Sequence, residues 1–293
     1  MVNDGTEGAG RVADVLLLFT EGPSTIGVSA ISRRLNLSKA VVHRILRTLV
    51  GRKLLATDPL TREYQLGPAA AAIGARALRD SELRRVALPL LQRLQAATGE
   101  TTTLSVPVPG GRVYLAQVES ANEIKMTVEL GRRFPLHAGS SSRTILAFLT
   151  PEEQAEVMDS ELAPLTSGTI VDHARLRASL LEICRSGVAQ SGGERQSGAG
   201  SVAAAVFDFA GVVAGSISVC GPVSRMTPER RAELAPQVRQ AAEHVSIGLG
   251  WHGGLPDNGL KRAATDVTGC SDVAGVSLQV GPGPRLDHGS VTG

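Results

Sequence analysis

The chain has 293 residues, of which 42% are hydrophobic, 20% charged and 3% aromatic, and its formal net charge is only +2. That length allows two domains with ordinary cores, and the composition is that of a globular protein. The start, MVNDGTEGAG, lacks the basic opening and apolar stretch of a secretory signal, and no apolar run approaches the ~18 residues a membrane span needs, so a cytoplasmic protein with no membrane partner is expected.

Residues 1–9 are Gly-rich and acidic and read as a disordered tail. A winged helix-turn-helix DNA-binding domain is then expected over residues 10–67. Val12, Val15, Leu16 and Phe19 mark a first amphipathic helix, and Val28, Ile31 and Leu35 the inner face of a second. Asn36 and Leu37 supply a turn, and Ser38 is placed to cap a third helix whose inner face is Val42, Ile45, Leu46 and Leu49. Its outer face carries Lys39, Ala40, His43, Arg44 and Arg47.

From Gly22 to Thr57 there are seven basic side chains, among them Arg52 and Lys53, and no Asp or Glu. Such a run can be a solvated helix face. Here it lies on the second helix of a tight helical pair, followed by strand-like segments at 54–57 and 63–66 around the turn Asp58-Pro59-Leu60-Thr61. Three helices and a β-wing predict a helix laid in the major groove of double-stranded DNA, with Arg44 positioned for a bidentate contact to guanine.

Gly67-Pro68 punctuates the chain, and residues 68–80 read as a linker helix with Pro68 in its first turn. Its alanines, Ala69 to Ala72, Ala75 and Ala77, either let two copies approach across a dimer axis or only raise helix propensity. A second domain is expected over 81–250. Strands are predicted at 101–106, 112–118 and 124–130, helices at 140–149, 151–159 and 172–186, strands at 202–208 and 212–219, and a closing helix at 227–249. That order predicts an α+β domain with helices on one side of a sheet. Residues 251–293, rich in Gly, Ser, Pro, Asp and Thr, read as a disordered tail.

No catalytic constellation emerges. The chain contains no GxxxxGK[ST], GxSxG, HExxH or EF-hand loop. Cys184, Cys220 and Cys270 form no CxxC, and the six histidines never fall at i, i+4 on one predicted helix, so neither a metal nor a cofactor is implied. The run Pro135 to Leu149 carries Gly139, Ser140, Ser141 and Ser142 into an apolar helix, which is a site for a small carboxylate or phosphate or else plain capping. The polar segment from Ser191 to Ser201 is a flexible loop over a pocket, or only a loop. Ser218 and Cys220 stand at the end of the last strand. An alternative reading is a small α+β hydrolase with a DNA-binding appendage, using Ser140, His137 and a distant acid.

The helix LSKAVVHRILRTL and the segment REYQLG that follows resemble the recognition helix and wing of the IclR family of bacterial transcriptional regulators. GRRFPLHAGSSSRTILAFL and GAGSVAAAVFDFAGVVAGSISVCGPVSRMT resemble its effector-binding domain in order and spacing. The resemblance implies a winged helix-turn-helix, a linker helix and a GAF-like domain that binds a small molecule, in a dimer or tetramer in which repression is the commoner mode. The serine-rich start of the 140–149 helix adds the expectation that this effector is a small, anionic metabolite. By motif position the resemblance places DNA contacts on Lys39, Ala40, Val42, His43 and Arg44, and effector contacts on Met126 and Phe134, Ser140 and Ser141, Ser191 and Ser201, and Ser218 and Cys220. Ala40-Val41 replaces a frequent Ser-Thr, and GSSSRT replaces an SGAGKA-like run, so neither operator nor effector carries over from the family.

Overall fold

The computed structural model describes residues 7–256. α1 (Glu7–Leu17) and a short 3-10 turn (Leu18–Thr20) precede α2 (Val28–Leu35) and α3 (Lys39–Gly51). Val15, Ile31, Val42 and Leu46 meet without exposure, so the apolar stripes of the helices close on one small core. Asn36, in the left-handed region at φ 51°, ends α2 and turns the chain within a few residues. The Ser38 hydroxyl then accepts the Val41 N–H to open α3. β1 (Leu55–Thr57) pairs antiparallel with β2 (Tyr64–Leu66) as the wing. At its tip the Asp58 carboxylate accepts the Thr61 and Leu60 N–H groups, each at 2.8 Å, which holds this carboxyl below its ordinary range.

α1 begins inside the stretch expected to be a tail. Glu7 stands at the positive end of the helix and pairs with Arg11 one turn on, which extends the helix ahead of its apolar stripe. Residues 1–6, and the part of the expected C-terminal tail from 257 onward, lie outside the described residues.

α4 (Pro68–Asp80) and α5 (Glu82–Thr98) are separated by Ser81, whose hydroxyl caps α5 by accepting the Arg84 N–H at 3.2 Å. The larger part of the chain is built on β3 (Thr101–Val108), β4 (Gly111–Val118), β5 (Arg133–Phe134), β6 (Val188–Gly192), β7 (Ala199–Phe207) and β8 (Val213–Pro222). They form one antiparallel sheet in the order β5-β4-β3-β8-β7-β6.

Helices cover both faces of this sheet, where the element order alone had suggested one. Val202, Ala204 and Val206 of β7 pack with α5 and α9 (Pro228–Gly248). Ala205 and Phe207, on the opposite face of the same strand, pack with α6 (Ser140–Phe148) and α8 (His173–Ser186), while α7 (Pro151–Met158) lies between those two in sequence. A strand apolar on both faces must be covered on both.

Three further expectations change. The alternating block 124–130 is not a ladder strand; it makes one isolated bridge, Leu130 to Tyr114, and otherwise hangs on side chains. The edge of β4 is taken by the two residues of β5 instead. β6 was not expected, because Val188 to Gly192 runs straight from the end of α8 into a polar segment that hides its alternation. Finally, the C-terminal tail does not begin at 251: the Trp251 ring lies 6.4 Å from that of Phe207, and Leu255 packs on the same cluster.

Candidate functional site

The DNA-facing surface is the solvent side of α3. Lys39, Ala40, His43, Arg44 and Arg47 are all exposed there, one turn apart or adjacent, and none forms an ion pair among the described residues. Val42 is corrected: it is fully buried in the trihelical core, because motif position placed it on the contact face while the helical period turns it inward. Lys53 is exposed at the turn into the wing, with φ 57°. A groove between α3 and the wing is lined by Ala40, His43, Arg44, Arg47, Val50, Thr57 and Tyr64. It contains no carboxylate, and it adds the hydroxyls of Thr57 and Tyr64, which helical periodicity could not bring to this face.

The second site lies between the sheet and the start of α6. Gly139, at φ 90°, turns the chain into that helix, all of whose residues are buried. The polar side of the sheet faces it. Thr103 and Ser218 share a hydrogen bond of 2.7 Å across β3 and β8, and Ser140 and Ser201 share one of the same length between helix and sheet. A cavity opens among these groups, lined by Met126, Ser140, Ser141, Ser191, Ser201, Ser218 and Cys220 from the sequence-derived set. Phe134 is not in the lining; it stands behind Tyr114, edge to face at 5.6 Å. Including the mouth, the empty space is about 400 Å³, the scale of a small-molecule site.

Sequence reasoning missed the charged members of this cavity, Arg112 and Arg195. Arg112 is 1% exposed and donates to Ser142 Oγ at 2.7 Å, Ser105 Oγ at 3.0 Å and Tyr114 Oη at 3.0 Å. Its guanidinium lies 4.2 Å from the Tyr114 ring centre and 5.3 Å from that of Phe134. Burial pulls its pKa below the ordinary arginine range, offset in part by Tyr114. Arg195 covers the same two rings at 5.8 and 5.1 Å. The inward aim of Arg112 comes from a β-bulge. The register between β3 and β4 steps from Leu104–Ala116 to Ser105–Tyr114, so Arg112 and Tyr114 face the cavity while Ala116 faces α5.

Two loops cover the cavity, and each is tied down by an ion pair. Segment 193–198 is held by Glu194, which pairs with Arg143 of α6 at 2.6 Å and accepts the Gly139 N–H at 3.0 Å. Segment 119–131 is held by Thr101 Oγ1 donating to Met126 O at 2.7 Å and by Arg225, which joins Glu100 to Ile124 O. Next to Phe134, Arg133 donates to Pro109 O at 2.7 Å and pairs with Glu21, which follows the 3-10 turn between α1 and α2 of the winged unit.

His137, the base of the hydrolase alternative, bonds through Nε2 to Ala163 O at 2.9 Å, while the Ser140 hydroxyl is engaged by Ser201. The pair that reading requires is not assembled. Among the described residues there is also no group of three His, Cys, Asp or Glu side chains able to hold a metal ion.

Cys220 is buried, and burial pushes its thiol up to about 12, with Arg195 and Arg112 opposing and Glu100 assisting. The thiolate is the reactive form. Iodoacetamide at pH 8 should therefore label Cys220 in the native protein roughly a thousandfold more slowly than in denaturant, by peptide-resolved mass spectrometry. Labelling at comparable rates would show that the cavity wall opens freely.

A basic helix-turn-helix with a wing, joined to an α+β domain with a polar cavity, defines a transcriptional regulator of the winged-helix class. Residues 8–59 match the IclR helix-turn-helix domain and residues 75–247 the C-terminal domain of the bacterial transcriptional regulator IclR. The chain belongs to the IclR family. It is 33% identical over 246 residues to the HTH-type transcriptional regulator BhcR of Paracoccus denitrificans, covering 84% of this chain and 88% of that one. It is 30% identical over 247 residues to the HTH-type transcriptional repressor AllR of Klebsiella pneumoniae, covering 84% and 91%. Among solved structures, an IclR homologue from Microbacterium hydrocarbonoxydans complexed with 4-hydroxybenzoate is 27% identical, with a TM-score of 0.63 over 83% of this chain and 99% of that one. No helix among the described residues is long and apolar enough to cross a membrane.

Proposed function

We propose that this protein is a cytoplasmic repressor whose C-terminal cavity binds a small anionic metabolite and thereby changes the affinity of α3 for its operator. The observation that carries the reading is Arg112, a buried guanidinium facing the cavity with only neutral acceptors as hydrogen-bond partners. A buried cation without a counter-ion is costly, and an anionic ligand would supply one. The repressor name of the AllR relative and the carboxylate in the Microbacterium complex support the same reading.

Operator binding is assigned to Lys39, Ala40, His43, Arg44 and Arg47, with Lys53 on phosphate. Self-association is part of the proposal. α4 buries none of its residues, though Ile73 is 62% and Leu78 36% exposed, so a second copy is the natural cover for this helix. A ligand that prefers one arrangement of the subunits changes the spacing of the recognition helices and hence the DNA-competent population. The Glu21–Arg133 pair joins the two units within one chain, one residue from the ring behind the cavity.

The test is fluorescence anisotropy of a duplex from the protein's own upstream promoter, with and without small carboxylic acids. Specific binding that one acid weakens is the expected result; equal affinity for scrambled duplex would overturn the reading. Ser141 is 5% exposed and lines the cavity. Ser141→Trp should fill the space and abolish the response to the acid, while operator affinity stays within about twofold, since the two sites are separate. A fully responsive Ser141→Trp protein would place the ligand elsewhere.

A further inference from the structure

From the charge count around the cavity we infer that its ligand is a compact dianion, a short dicarboxylate or a phosphate monoester, held between Arg112 and Arg195. The inference rests on the effector reading above and adds the charge and size of the ligand.

Two carboxylates near the cavity, Glu194 and Glu100, are each taken by an arginine of their own, and Arg132, over the Phe134 ring, pairs with Glu129. Glu194 is bound at both oxygens by Arg143 and lies 9% exposed against it. Glu100 is likewise bound at both oxygens by Arg225. Among the described residues no carboxylate pairs with Arg112 or Arg195, so the cavity is left with two uncompensated positive charges. Arginine keeps its charge in proteins, even where burial lowers its pKa.

The two guanidinium groups lie over the same pair of rings, Tyr114 and Phe134, and Arg195 is close enough to disfavour the charge on Arg112. A flat aromatic acid would have to compete with these guanidinium groups for the two rings. Besides Met126, Ala199 and Cys220, the lining offers the hydroxyls of Ser140, Ser141, Ser191 and Ser201 and the amide of Gln196, which can hydrogen-bond a polar body between two anionic ends. With about 400 Å³ of space including the mouth, the cavity suits a small molecule.

The experiment is isothermal calorimetry on the full chain with malonate, succinate and glycerol 3-phosphate against propionate, lactate and 4-hydroxybenzoate, at fixed ionic strength. At least one dianion should bind about tenfold or more tightly than every monoanion, because one charge-assisted contact is worth that much. Malonate or succinate leading identifies a dicarboxylate, and glycerol 3-phosphate leading identifies a phosphate ester. Arg195→Gln, on a loop, should bring the best dianion to within about threefold of the monoanions without changing the unliganded melting temperature. A monoanion binding as tightly as the dianions, or discrimination that survives Arg195→Gln, overturns the inference while leaving an anion-responsive regulator intact. If none of the six probes binds, the effector reading fails together with it.

Discussion

Replacing Glu194 by alanine is expected to destabilise the larger domain by about 3–5 kcal/mol, the typical cost of removing one partner from a buried ion pair. Glu194 and Arg143 have side chains only 9% and 6% exposed, and Arg143 Nε and Nη2 reach the carboxylate at 3.0 and 2.6 Å. Without that carboxylate, Arg143 keeps only the neutral oxygens of Ser179 and Gln190, and the Gly139 N–H loses its acceptor at the head of α6. The same residue tethers the loop carrying Arg195, so the response to ligand should disappear with the stability. Urea unfolding followed by circular dichroism measures the first effect, and the midpoint should fall while the slope stays constant. The exposed pair Arg230–Glu233 supplies the contrast. With 41% and 64% side-chain exposure, it should lose less than about 1 kcal/mol on Glu233→Ala. Comparable losses at Glu233 and Glu194 would refute the structural role given to the buried pair.

Arg44→Ala should remove operator discrimination worth about 1–3 kcal/mol, the value of one bidentate arginine–guanine contact. Arg44 is exposed in the N-terminal half of α3, and its side chain lines the groove between helix and wing. Competition between operator and random duplex is the measurement, because discrimination and total affinity separate there. Lys53→Gln should instead weaken every duplex alike and reduce the slope of log affinity against log salt by about one unit, as expected for one lost phosphate contact. Gln is chosen because Lys53 sits at φ 57°, and a non-glycine replacement of similar length leaves the backbone cost unchanged. Arg44→Ala with unaltered discrimination would mean that a different face of α3 enters the groove.

The winged unit was legible because its information is local. Val12 and Val15, Ile31, and Val42 with Leu46 recur at helical spacing, and the charges on the opposite side of α3 lie within three turns. The one error on that face, Val42, arose where family position was followed against the helical period. In the larger domain, the serine-rich start of α6 and the ends of β7 and β8 pointed to residues that the fold does gather around one cavity. The segment 124–130 misled because a loop that tucks Met126 and Val128 under itself and leaves Ile124 73% exposed alternates like a strand. β6 escaped because five residues at a sheet edge carry too little periodicity to stand out from the loop that follows.

Helical period, turn chemistry and charge along the chain determined by themselves that a cationic helix-turn-helix with a wing precedes an α+β domain, since each of these signals is complete within a few residues. Only the tertiary structure decided that helices cover both sheet faces and that the two covering loops are pinned by arginine pairs. The same holds for the cavity's charge. The bulge beside Leu104 turns Arg112 inward from a strand whose alternation alone assigns Arg112 and Ala116 to one face. The neutralisation of Glu100 and Glu194, which leaves Arg112 and Arg195 uncompensated, depends on partners 125 and 51 residues away in sequence. Long-range pairing sets which charges remain, and no local pattern reports it.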